Sequence, residues 1–211
     1  MLGVQPVFAE RVAPEVLLKS VTLEVIAVIR ADKEIHAGNP IKAAELVDAK
    51  VLPLFDFARM TQLALAHNWR GVTAAQQKVL IAEFRTLQVR TYTVALSSGG
   101  DQPIEFRPLH AVAGDTEVTV KTQMKQAGTD TMSMDYEMDR TPAGWKVFDT
   151  KIDGVSLVTT YRETFADRVH EGGIDGLIRA LDDKNRESER VHRNGNWYEP
   201  IFIQGILHGG V

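Results

Sequence analysis

The sequence predicts an α+β protein in which helices precede and follow an antiparallel meander of about four strands. Residues 14–97 carry apolar residues at helical spacing between recognisable helix starts and stops. From Pro103 the period switches to two. Val118, Val120 and Met124 alternate with Glu117, Thr119, Lys121, Gln123 and Lys125, and Met132, Met134, Tyr136 and Met138 alternate with Ser133, Asp135, Glu137 and Asp139. Such alternation marks half-buried antiparallel strands. From Gly154 the helical period returns: Val158, Tyr161, Phe165 and Val169 fall at steps of three, four and four residues and form one apolar stripe.

Taken in order, Pro14 suits a first helical turn and Glu15 its positive end. Leu17, Val21, Val25 and Val28 then make a stripe, with Arg30, Lys33 and Glu34 facing away, until Gly38-Asn39-Pro40 breaks the helix. Ile41 to Leu52 reads as a second helix stopped near Pro53. Asp56 is an N-cap for the next, whose face holds Phe57, Met60, Leu63 and Ala64. Thr73 and Gln76 match a capping box for a long helix. That helix has Leu80, Phe84, Leu87 and Val94 on one side and Val89, Tyr92 and Leu96 on another, so it should be covered on both. Ile104–Leu109 is a weak strand with Pro108 at an edge or bulge, and Trp145–Asp153 a further strand after the turn at residues 141–144. Gly172-Gly173 should stop the last helix, leaving Ile174–Leu181 as a short second one. Asp182–Arg193 is a dense mixed-charge run and Trp197–Val211 an apolar, glycine-punctuated tail.

Composition excludes several functions. A net charge of −4 with no Lys/Arg block argues against nucleic acid as a partner. With no cysteine there is no disulfide, thiolate catalysis or zinc–thiolate site. The six histidines show no ligand spacing, so no metal is expected, and no GxSxG, P-loop or GxGxxG motif implies a cofactor. No apolar run is long enough to insert stably in a membrane. Met1–Ala9 is apolar and ends Val7-Phe8-Ala9, which fits the remnant of an export signal or simply a flexible start over residues 1–12.

The least ordinary feature is the strand lining. Met124, Met132, Met134 and Met138 share inner faces of strands expected to pair. Methionine fills irregular space without fixing one packing, so these residues are either plain core or a pliable wall for an apolar ligand.

The runs FDFARMTQLALAHNWRGVTAAQQKVLIAEFRTLQVRTYTVAL and WKVFDTKIDGVSLVTTYRETFADRVHEGGIDGLI together resemble the MlaC family, also known as toluene-tolerance auxiliary proteins. The resemblance covers roughly Ala13–Leu181. It implies a twisted antiparallel, NTF2-like sheet with helices packed around an apolar cavity. The function it implies is that of a periplasmic carrier, which takes a diacyl glycerophospholipid between outer-membrane and inner-membrane components. Its partners would be an inner-membrane ABC transporter complex and an outer-membrane lipoprotein complex, in a system for lipid asymmetry. The implied division is a phospholipid-binding domain over 13–181, with a charged linker and apolar tail of unassigned role over 182–211.

Helical and strand faces then nominate a lipid-binding set: Val21, Val25, Val28, Phe57, Met60, Leu87, Thr91, Met124, Met134 and Val147, with Val155, Leu157, Val158 and Tyr161 at the mouth. Each is otherwise a core residue. Arg162, at the edge of the apolar stripe, and Arg90 are candidates for the phosphate of the headgroup, or else surface ion-pair partners of Glu83, Glu163 or Asp167. Two other functions stay open: an NTF2-like small-molecule enzyme using a cavity carboxylate such as Asp149 beside Tyr161, or an interaction module with a filled core.

Overall fold

The computed structural model describes residues 12–97, 104–109, 114–124 and 131–193, with the side chains of residues 40, 90–97, 188, 189 and 191–193 also outside the description. The readings of the N-terminal segment, of the tail beyond Arg193, and of the side chains of Arg90 and Thr91 therefore lie outside the described residues.

Five antiparallel strands form one sheet in chain order: β1 (Ile104–Phe106), β2 (Glu117–Met124), β3 (Met132–Thr141), β4 (Gly144–Ile152) and β5 (Val155–Ser156). The alternating pattern sets the register. Val118, Met138 and Val147 lie abreast, as do Val120, Tyr136 and Thr150, then Thr122, Met134 and Ile152. A two-residue turn at Asp153 (φ 47°) and Gly154 (φ 83°) folds β5 back on β4, the left-handed conformation that Asp-Gly hairpins favour. This short fifth strand is absent from the sequence reading. So is the bulge: Glu137 pairs with Asp149 but Met138 with Val147, leaving Phe148 unopposed.

Among the described residues six α-helices accompany the sheet. In α1 (Pro14–Ala31) the buried residues are Pro14, Leu18, Val25, Ile26 and Ile29, so burial is turned about one residue from the Leu17–Val28 stripe. The cause is that α1 packs on two clusters at once, the main core through Leu18 and a smaller one through Val25 and Ile29 with Ile35 and Leu46. Asp32 ends α1 and caps α2 (Lys33–His36), its Oδ1 accepting from the N–H of Glu34 at 2.9 Å. Asn39 caps α3 (Pro40–Leu46). A π-turn over Val47–Val51 and a 3₁₀ turn over Leu52–Leu54 replace the rest of the helix expected up to Leu52. They deliver Asp56, whose N–H donates to Val147 O at 2.8 Å and whose side chain caps α4 (Phe57–Leu65). The capping box of α5 (Ala74–Ser97) forms reciprocally, Gln76 N–H to Thr73 Oγ1 at 3.3 Å and Thr73 N–H to Gln76 Oε1 at 3.0 Å.

Helix α6 (Leu157–Arg193) packs against α4, α5 and the end of β4. Its Tyr161 and Phe165 meet Phe84 of α5 edge-to-face, with centroids 4.9 and 5.3 Å apart. Gly173 breaks α6 with φ 65° and ψ −170°, as the Gly-Gly pair implies, but helical geometry resumes through the charged run to Arg193 instead of ending at Leu181. Leu177, Leu181 and Asn185 are buried there, and Asn185 Nδ2 donates to Glu83 O at 3.0 Å and to Glu83 Oε2 at 2.7 Å.

Two backbone sites make opposite predictions. At Gly173 the angles suit glycine alone, so Gly173→Ala should destabilise by about 1–3 kcal/mol. Ala66, after α4, sits at φ 50° and ψ −124°, and Ala66→Gly should stabilise by about 1 kcal/mol. Urea unfolding of both variants, read at unchanged m-value, checks the pair.

Candidate functional site

The inner face of the sheet is mostly apolar, with Thr122 and Thr150 among its residues, and is sealed over only part of its length. Val120, Met138 and Val147 have no exposed surface and share the main core with side chains of α4, α5 and α6. Further along the same strands, Met124, Met132, Met134, Tyr136 and Ile152 are half-buried. The Tyr136 hydroxyl donates to Met134 Sδ at 2.8 Å, and Thr122 Oγ1 to Met134 O at 2.8 Å, which fixes the backbone beneath this part of the wall.

Within the nominated set, Phe57, Met60, Leu87, Val147, Val158 and Tyr161 come together in the main core. Leu157 is buried at the start of α6. Val25 belongs to the smaller cluster, with half-buried Val21 and Val28 against it. Met124 and Met134 stand on the half-buried stretch of sheet, and Val155 is exposed on β5. Arg162 is exposed, and its Nε and one NH₂ group each donate to Leu63 O at 3.3 Å, so it is tied to the C-terminal turn of α4 rather than to Glu83, Glu163 or Asp167. That position opposes the negative end of the α4 dipole.

Asp149, the carboxylate of the enzymatic reading, is 7% exposed and fully engaged with the start of α6. Its Oδ1 accepts from the N–H groups of Thr150 at 2.8 Å and Val158 at 3.1 Å, and its Oδ2 from Ser156 Oγ at 2.5 Å. Ser156 Oγ in turn accepts from Thr159 N–H at 2.9 Å. Two residues thus cap one helix, whereas Tyr161 packs on Phe84 and Phe165.

The outer face is charged. Arg59 of α4 bonds Asp139 at 2.5 Å and Glu117 at 2.6 Å, and its guanidinium lies 3.7 Å over the ring of bulged Phe148. Burial works against its charge, but the bonds to Glu117 and Asp139 more than offset this and raise its pKa. The hydrogen bond to Glu137 at 2.7 Å raises that of Lys151. A groove of about 460 Å³ on this face runs beside Pro108 and Leu109 past Glu117, Thr119, Lys121 and Glu137. Among the described residues no cluster of acidic or histidine side chains suits a metal ion, and no helix is long and apolar enough to cross a membrane.

Sequence reasoning passed over two residues in this interior. Gln88 of α5 and Thr150 of β4 are each 1% exposed and polar among apolar neighbours. The signal for Gln88 was available, since it stands eight residues after Leu80 and four after Phe84, inside the core stripe.

Residues 19–183 match the family model described as MlaC protein. The chain belongs to the MlaC family. The MlaC fold seen here superposes on the structure of a phospholipid-binding protein from Ralstonia solanacearum, solved in complex with a phospholipid, with a TM-score of 0.77. The two are 35% identical, over 83% of this chain and 98% of that one. The toluene tolerance protein ttg2D of Pseudomonas putida is 22% identical over 165 residues, which is 77% of this chain and 75% of that protein.

Removing the Asp149 carboxylate leaves buried N–H and O–H donors without an acceptor. Asp149→Ala should therefore cost about 2–3 kcal/mol, read by urea unfolding, with loss of the α6 start visible as reduced protection of the Val158 and Thr159 amides in hydrogen exchange.

Proposed function

We propose that this MlaC protein is a periplasmic phospholipid carrier that passes lipid between an outer-membrane lipoprotein complex and an inner-membrane ABC transporter complex. The observation that carries the reading is the inner sheet face, mostly apolar yet only half covered by packed core, in a fold whose Ralstonia relative was solved with a phospholipid. Two acyl chains of about thirty CH₂ groups cost on the order of 25 kcal/mol to leave in water, at ~0.8 kcal/mol each. A carrier must bury nearly all of both. Methionines at positions 124, 132 and 134 suit that task, because they adapt to whichever chain lies against them.

In this reading residues 13–181 form the lipid-binding unit. Met124 and Met134 touch the tails, and Thr91, four residues after Leu87 in the sequence, is proposed as a further lipid contact on that spacing alone. Val21 and Val28 line the side under α1. Arg162, held at the end of α4, offers its charge to the phosphate, and Arg90 is the second candidate. The bilayer provides the same apolar burial as the carrier, so transfer is near neutral, and direction comes from the partners. A net charge of −4 gives little attraction to anionic membranes and favours protein docking over membrane adsorption.

Native mass spectrometry of the protein purified from a bacterial periplasm tests this reading. The expected spectrum contains a species heavier by one diacyl phospholipid, and reproducibly lipid-free protein overturns the assignment. Met134→Trp should abolish the adduct while the far-UV circular dichroism and melting transition stay near wild type. Arg162→Ala should weaken uptake of phosphatidylglycerol by about fivefold through loss of one charged contact, measured in a vesicle-to-protein transfer assay.

A further inference from the structure

The core face of α5 runs through Leu80, Phe84 and Leu87, and Gln88 stands in the same stripe one turn beyond Phe84. Phe84 marks the level of the aromatic contacts with α6; Leu87 and Val89, on either side of Gln88, belong to or pack against the same core cluster as Val120 and Tyr136, the residues abreast of Thr150. Gln88 is 1% exposed, and its Nε2 has no hydrogen-bond partner among the described residues. Thr150 repeats the situation on β4. It lies abreast of Tyr136, is 1% exposed, and its Oγ1 is equally without a partner. Thr122, on the same sheet face and also buried, shows what a structural threonine does there: its hydroxyl bonds the Met134 carbonyl.

Buried polar groups are nearly always paired, and a buried amide donor left unpaired destabilises the fold. Hydrocarbon cannot satisfy it. A diacyl phospholipid brings acceptors into an apolar interior, the ester carbonyls where each chain joins the glycerol. An alkyl ether in the same place is a far weaker acceptor. We propose that the Gln88 carboxamide, with the Thr150 hydroxyl as a second donor, hydrogen-bonds the ester carbonyls of the bound lipid and makes this carrier select acyl esters over alkyl ethers. The proposal rests on the carrier reading above. It adds a polar subsite inside what is otherwise an apolar wall.

Delipidated wild type, Gln88→Met and Thr150→Val are each offered an equimolar mixture of dioleoyl-phosphatidylglycerol and its di-O-oleyl ether analogue, and native mass spectrometry reads the ratio bound. Wild type should favour the ester by about fivefold, as one net hydrogen bond requires. Gln88→Met should bring the ratio near one, and Thr150→Val should lower it. Equal uptake by wild type, or a ratio unchanged in both variants, overturns the Gln88 assignment while leaving the carrier reading intact; no uptake of either lipid by wild type overturns both. Lipid-free Gln88→Met should melt no lower than wild type, because an unpaired donor has been removed. A clearly lower melting temperature would mean the amide already has a protein partner and would sink the proposal.

Discussion

Much of this structure hangs on the joint between β4 and α6. Asp149 gathers donors from Thr150, Ser156 and Val158, and Ser156 passes the contact on to Thr159, so a strand end and a helix start share one hydrogen-bonded node. The node is buried, where such bonds are strong and their loss is costly. It fixes the direction in which α6 leaves the sheet. Tyr161 and Phe165 then arrive against Phe84, and α5 is held at the distance their rings require. A carboxylate that in isolation suggests catalysis is here the fastening for the helix that covers the core.

The same fastening allows the sheet to carry two kinds of surface. Where Val120, Met138 and Val147 meet the helices, packing is complete and contributes to stability. Where Met124, Met132 and Met134 stand half-buried, apolar area is left incompletely covered. A lipid site requires that compromise, because any side chain filling the space would compete with the ligand. The sealed part must then supply the stability that the open part forgoes.

The elements that local chemistry dictates were legible in the sequence. Alternation at Glu117–Met124 and Met132–Thr141 needs only a pleated backbone with one buried face, and the box at Thr73 and Gln76 needs only four residues. Gly173 was legible for the same reason, since only glycine tolerates its backbone angles. What sequence could not give depends on tertiary contacts. The rotation of α1 follows from two clusters pulling on one helix, and the Phe148 bulge follows from the neighbouring strand and the Arg59 cation above it. Arg162 chose a backbone carbonyl 99 residues away over the acidic side chains on its own helix. Gln88 was hidden by the habit of reading a helix through its apolar positions.

The strand edges have a consequence for how the protein behaves in a crowded compartment. A sheet with an apolar, partly open face is a template for pairing with other chains if its edge is long and flat. Here one edge is a three-residue strand, β1, with Pro108 two residues beyond it, and the other is the two-residue β5, which leads directly into α6. Each covers only part of its neighbour: β1 pairs with Thr122–Met124 of β2 and β5 with Lys151 and Ile152 of β4, so the remaining lengths of β2 and β4 depend on other elements for cover. On β4 that cover is the chain entering α4, with Phe55 bridged to Val147 and the Asp56 N–H on the Val147 carbonyl, so a foreign strand adding there would have to displace the residue that caps α4.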